Sequence, residues 1–316
     1  MVVMLAPAIA LALYYLQAAQ SGAQSASLQV RGNELAHYVE SVELDLPRFM
    51  AISSRNALIA LVKYEEDYNA TVPDAPCVLS ALSQYGNATN ASCPGLALSA
   101  NITLPTANSY LEYWKNRTIT SGAKYGFSTG ISLQNQSYNQ SGPFGISNSV
   151  VLLLNASDKT GLMNFSIAKN ISITAEISGL DDPEYLSNTQ GLVRRNINFS
   201  QNISGAQNLS EFVNGKYYTA SDYGASFLER LEGALWLSGK YGTGTGIETF
   251  AYVPQLEANG LPAKNQSGLD YEYFNASIAP GGCNAQELSC GEYWWLKLNA
   301  TQAQKYGVTL NCTKCA

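Results

Sequence analysis

Seventeen of the 26 asparagines stand in the triplet Asn-x-Ser/Thr, with x other than Pro. They are Asn69, Asn87, Asn90, Asn101, Asn116, Asn135, Asn139, Asn155, Asn164, Asn170, Asn198, Asn202, Asn208, Asn265, Asn275, Asn299 and Asn311. In this triplet the side-chain amide nitrogen is the acceptor for an N-linked sugar. Ser and Thr together make up 49 of the 316 residues, so chance gives only about 4 such triplets. None of the 17 falls in residues 1–68. A Ser/Asn-rich β surface without sugar is the competing reading; the excess and its confinement favour covalent glycan.

Six cysteines form the second set: Cys77, Cys93, Cys283, Cys290, Cys312 and Cys315. An even count beside dense glycan acceptors implies an oxidising exterior and disulfides. Cys77 and Cys93 are the natural local pair. The last four can join as 283–290 and 312–315, or crosswise. The alternative is a zinc site from those four thiolates, but the first pair's spacing is too long for a zinc knuckle. A redox role for Cys312-Thr-Lys-Cys315 lacks a βα context. Disulfides and no metal are expected.

Candidates for catalysis are few. His37 is the only histidine, so no His-based triad forms without it; its place in a long helix reads as packed or interfacial. Asp181-Asp182 precedes Pro183 and reads as a turn. Glu229 and Glu232 lie off the apolar stripe of a helix and read as a solvated face. Gly242-Thr-Gly-Thr-Gly246 has no Lys and no following helix, unlike a phosphate loop. Tyr293, Trp294 and Trp295, with Tyr271 and Tyr273, could form a sugar-stacking platform, though core packing is the commoner fate of such residues. Two carboxylates suffice for glycoside hydrolysis, so residue types alone leave that chemistry open.

The elements that hold these residues follow from composition and pattern. Charged residues are 13% of the chain and the net charge is −6, about half the roughly 25% charged content of soluble domains. Without clustered Lys and Arg a nucleic-acid partner is excluded. No charged side chain precedes Arg31, and Met1–Ala19 is almost wholly apolar. Nineteen residues make roughly 28 Å of helix, close to a bilayer core. A secretory signal would open with a basic region; its lack leaves two explanations, an odd anchor opening at Met1 or a basic leader already removed, and the second accounts for the missing charge more simply. Helix-compatible sequence then runs to about residue 44, with Leu28, Leu35, Val39 and Val42 at helical spacing. Pro7 implies a lost bond or a bend. Asp45-Leu46-Pro47 reads as a break, with a second helix over Pro47–Glu66.

Beyond residue 69 the pattern changes to alternation. In Met163–Glu176, Phe165, Ile167, Ile171 and Ile173 take one parity; Asn164, Ser166, Asn170 and Ser172 take the other. Arg195–Ser204 repeats this. Further strands are predicted at Ser149–Leu154, Gly246–Val253, Leu269–Phe274, Glu292–Leu298 and Gly307–Asn311, and one helix over Ser221–Leu237. The expected fold is α+β. Residues 1–68 form a helical segment, a long hydrophobic helix plus a second helix, and residues 69–316 form a large β-rich, sandwich-like, glycosylated domain.

An uncharged N-terminal helix, an amphipathic continuation and a glycan-rich outer domain resemble archaeal type IV pilins and archaellins. The residues carrying the resemblance are Met1–Val30 and the acceptor triplets from Asn69 onward. The resemblance implies removal of a class III leader, a membrane-inserted precursor, and a homopolymer whose core is built from Val2, Val3, Leu5, Ile9, Leu11, Leu13 and Leu16. It implies a structural, non-enzymatic role in adhesion or motility at the cell surface, with no cofactor besides covalent glycan. A membrane-anchored surface glycoprotein is the second reading and a stalked carbohydrate-active enzyme the third.

Overall fold

The computed structural model describes residues 5–89, 93, 101–201, 203–278, 281–288 and 291–312, with the side chains of 5–13 and 18–25 outside the description. Helix α1 runs over Leu5–Tyr68, followed by α2 (Ala75–Tyr85) and α3 (Leu111–Lys124). Three long strands come next: β1 (Phe127–Gly142), β2 (Gly145–Asp158) and β3 (Asn164–Glu176). Short elements fill the rest: α4 (Pro183–Asn188), α5 (Ala206–Asn214), β4 (Thr219–Ser226), α6 (Phe227–Leu231), β5 (Gly246–Glu248), α7 (Val253–Ala258) and α8 (Asp270–Phe274). The chain closes with β6 (Cys283–Ala285), β7 (Lys297–Leu298), α9 (Ala300–Tyr306) and β8 (Leu310–Asn311).

This architecture corrects the expected fold class. The sheets are small and antiparallel, with strand orders β1-β2-β3, β4-β5 and β7-β6-β8 among the described residues. A sandwich needs two extended sheets whose inward faces interdigitate, and only the first sheet has strands long enough. Within Leu269–Phe274, Asp270–Phe274 form the helix α8 and Leu269 alone keeps a bridge, to Phe250; the predicted Ser221–Leu237 helix is β4 followed by the single turn α6. The described residues of Arg195–Ser204 make isolated bridges only, Asn196 to Asp181 and Phe199 to Tyr218. Gly246–Val253, Glu292–Leu298 and Gly307–Asn311 contain only β5, β7 and β8. No helix among the described residues is long and apolar enough to cross a membrane, which overturns the hydrophobic-helix part of the expectation as well.

The two predicted N-terminal helices are one. Pro47 sits inside α1, where it removes one backbone bond and costs about 3 kcal/mol. Burial on either side of it offsets that cost: Leu46 and Met50 are fully buried, and full burial of such a side chain contributes roughly 1.5–3 kcal/mol. Pro7 is the third described residue of α1, residues 1–4 lying outside the description.

The chain packs as two compact units. One comprises the chain up to Arg48 with Trp114–Asn135 and Val150–Ile171; the other comprises Phe49–Tyr113, Gln136–Ser149 and Ser172–Ala316. In the first, Leu35, Val39, Val42, Leu46, Trp114, Phe127, Val150, Leu152 and Leu154 are buried. There the indole of Trp114 donates to Asp45 Oδ2 at 2.8 Å, and the Tyr38 and Phe127 rings lie 5.4 Å apart. The second holds two apolar clusters. One gathers Leu58, Leu61, Leu79, Ile146, Ile177, Leu228 and Leu231; the other gathers Phe212, Phe250, Leu269, Tyr271, Trp295 and Tyr306.

Candidate functional site

The described side chains of α1 from Tyr14 to Gln17 and from Ala26 to Val30 are exposed. Tyr14, Tyr15 and Leu16 are 70, 66 and 60% exposed, and Leu28 and Val30 are also exposed. Leu35 is the first buried side chain described along the helix. Among the expected assembly residues, Leu16 is thus exposed. Val2 and Val3 lie outside the described residues, as do the side chains of Leu5, Ile9, Leu11 and Leu13. Helices draw most of their stability from a packed face, and this segment has none described within the chain.

Fifteen of the 17 glycan-acceptor asparagines are described, Asn90 and Asn202 being outside. Asn69, Asn101, Asn116, Asn135, Asn139, Asn155, Asn164, Asn170, Asn198, Asn265 and Asn299 are exposed; Asn87, Asn208, Asn275 and Asn311 are half-buried. The one buried asparagine among the described residues is Asn148, which is not in an acceptor triplet. Its amide donates to Ser54 Oγ at 2.9 Å and to the Tyr138 hydroxyl at 3.1 Å. Strand geometry explains the sorting. Alternate residues of β2, from Ile146 to Asp158, point inward, so Asn155 points outward. On β3, Ser166 donates to Asn155 Oδ1 at 2.6 Å, which puts Asn164, Ser166 and Asn170, of one parity, on that same outer face.

Deep in the second unit lies a charge centre absent from the expectation. Arg230, on α6, is fully buried. Its Nη1 is 2.7 Å from Asp182 Oδ2, 2.7 Å from Glu184 Oε2 and 2.9 Å from Asp270 Oδ2. Its other nitrogens donate to the Ala225 and Ile247 carbonyls. Asp182 caps α4 through the Glu184 amide and accepts from the Tyr218 hydroxyl at 2.8 Å. Asp270 accepts from the Thr249 and Tyr271 amides. Arg195 donates to the Tyr185 hydroxyl at 3.0 Å and the Phe250 carbonyl at 2.7 Å.

Two acids of this centre accept no hydrogen bond. Glu184 lies near Arg230 but off the N–H directions, and neither of its oxygens is bonded; both oxygens of Glu65, on α1, are likewise unbonded and buried. Burial pushes Glu184 well above the usual carboxylate range against the pull of Arg230. Burial also pushes Glu65 well up, reinforced by the charge of Asp182. Asp270 is pushed up to about 6 by burial, against Arg230. Asp182 therefore belongs to a buried network rather than to a simple turn. Glu229, expected on a solvated face, is buried. It makes a capping box with Ser226 and accepts from the Ser238 hydroxyl at 2.6 Å.

The remaining candidates separate. His37 is exposed, 3.7 Å from Glu40, rather than packed. Tyr271, Tyr273, Tyr293 and Trp295 are core residues of the second unit and Trp294 alone is exposed, so no stacking platform forms from them. Gly246 serves backbone approach: a Cβ there would lie 2.1 Å from the Gly224 carbonyl oxygen, well inside contact distance, where the register of β4 shifts between Ser221 and Ser226 opposite it.

Cys77–Cys93 and Cys283–Cys312 are disulfides. The second is crosswise, and it consumes two of the four thiolates that a zinc site would need. A crosslink closing a loop of some 15 residues contributes about 3 kcal/mol. Cys290 and Cys315 lie outside the described residues. Parity leaves them for each other, so peptide mapping of non-reduced protein is expected to return a Cys290–Cys315 crosslink. Stoichiometric labelling of both thiols without reductant would overturn this.

The chain matches no protein-family model, no curated protein and no solved structure.

Proposed function

We propose that this chain is the subunit of an extracellular filament of the archaeal type IV pilus kind, polymerising with copies of itself through its N-terminal helix. Its outer surface carries N-linked sugar, and the filament serves attachment to surfaces or motility. The observation that carries this reading is that Tyr14, Tyr15, Leu16, Leu28 and Val30 are exposed, and that among the described side chains of α1 the first buried one is Leu35. Covering each large apolar side chain contributes roughly 1.5–3 kcal/mol. Exposure is spread over consecutive residues, hence around the helix, so cover by several neighbouring copies fits better than a single flat partner. The exposure of eleven acceptor asparagines supports the sugar-bearing wall. Under this reading the chain carries out no catalysis and needs no cofactor, metal or nucleic acid.

Electron microscopy of material sheared from producing cells, with the intact mass of its subunit, tests the proposal. Filaments are expected, built of a chain heavier than its 34.0 kDa polypeptide by glycan at most of the 17 triplets. Dispersed single particles would remove the assembly role. Bare asparagines at most positions would remove the glycan wall.

A further inference from the structure

The centre around Arg230 gathers more acid than base. Glu65 comes from α1, Asp182 and Glu184 from the start of α4, and Asp270 from α8; Arg230 comes from α6 and Arg195 from the segment after α4. The Arg195 guanidinium lies over the ring of Tyr218, whose hydroxyl donates to Asp182, while the Tyr185 hydroxyl accepts from Arg195 and donates to the Phe250 carbonyl. Four ionised carboxyls against two guanidinium groups would leave two negative charges in the core. An uncompensated buried charge is disfavoured so strongly that the group takes up a proton instead. Asp182 and Asp270 accept hydrogen bonds from Arg230 and from backbone amides, whereas Glu65 and Glu184 accept none. Two protons, one on each unbonded acid, make the centre neutral.

We infer that the second unit is a proton-binding fold: its native core takes up protons at Glu65 and Glu184, and the chain is thereby built for an acidic medium. This inference is independent of the filament reading. The sign follows from linkage. Both acids sit above their unfolded-state values when folded, so the stability they contribute is complete below the unfolded carboxylate range and is lost as pH rises through their folded values. Asp270 acts in the same direction up to about 6. Asp181, beside Asp182 and only partly buried, is pushed up by burial and shares the sign. Glu229 and Asp158 act oppositely, being held below the usual range by hydrogen bonds, for Asp158 chiefly from the Thr160 hydroxyl. Their window lies at the acid end, apart from that of the core acids.

Urea unfolding of the full chain across pH, with infrared spectroscopy at neutral pH, tests this. Each proton held only by the folded state changes the unfolding constant about tenfold per pH unit. Above about pH 6, where Asp270 is ionised in both states, and below the folded values of Glu65 and Glu184, unfolding is expected to become about 100-fold more favourable per pH unit. Glu65→Gln is expected to reduce that to about tenfold. The infrared spectrum of the folded wild type at neutral pH is expected to show the carbonyl stretch of protonated carboxyl. A flat or reversed pH slope, an unchanged slope in Glu65→Gln, or absence of that stretch overturns the inference. The infrared measurement decides it even if the variant fails to fold.

Discussion

Arg230→Met is expected to leave the second unit unfolded at neutral pH, with folded signal returning in part on acidification. The side chain is fully buried and is held by two carboxylates and two backbone carbonyls. Met keeps much of the volume and removes the charge. Asp182 and Asp270 then face each other uncompensated, and breaking a buried pair in this way costs about 3–5 kcal/mol, a large part of the roughly 5–15 kcal/mol that separates folded from unfolded domains. The loss reflects stranded acids rather than the intrinsic strength of the ion pairs, since a buried pair often does no better than apolar packing. Protonating those acids removes the stranding, which is why acid rescues the variant. Circular dichroism and protease resistance over a pH series measure both effects. Wild-type resistance of Arg230→Met at neutral pH would show that this centre does not hold the unit together.

The second large effect concerns assembly alone. Leu16→Asp is expected to give a chain that is exported, oxidised and folded, with the melting behaviour of the wild type, but no filaments. Leu16 is 60% exposed in the single chain, so the monomer loses little by the change. In a polymer core the same position would hold an unpaired carboxylate in every copy, costing several kcal/mol each time. Leu16→Ala, which only trims the contact, is expected to weaken assembly without abolishing it. Filaments of normal diameter from Leu16→Asp would place the helix outside the core, and the pilus-like reading would fall.

What the sequence makes legible depends on how local the signal is. The three- and four-residue spacing from Leu35 to Val62 marks one buried helical stripe, and the structure runs it as one helix. Pro47 misdirects because its local penalty is visible and the burial that offsets it is not. The parity of Met163–Glu176 foretells β3 because Ile171 and Ala175 on one face are buried, with Ile167 and Ile173 half-buried, while the other face is exposed throughout. Leu269–Phe274 is too short for its period to decide, and its Tyr and Phe residues suit either element; tertiary packing makes it α8. The charge centre is the least legible part. Its acids are scattered over residues 65, 182, 184 and 270, and Asp182 before Pro183 has the look of a capping or turn residue, which it also is. A usable signal did exist: in a chain this poor in ions, Glu229-Arg230 inside Phe227–Leu231 is a charged pair flanked by core side chains.

The outward face of β2 and β3 in the first unit, with Asn155, Asn164, Ser166 and Asn170, offers amides and hydroxyls where most protein surfaces offer ions. Dissolved electrolyte acts on a surface mainly by screening fixed charge, over about 10 Å at 0.1 M and about 3 Å at 1 M. A wall of neutral hydrogen-bonding groups gives it little to screen. The water held there should change little from fresh water to brine.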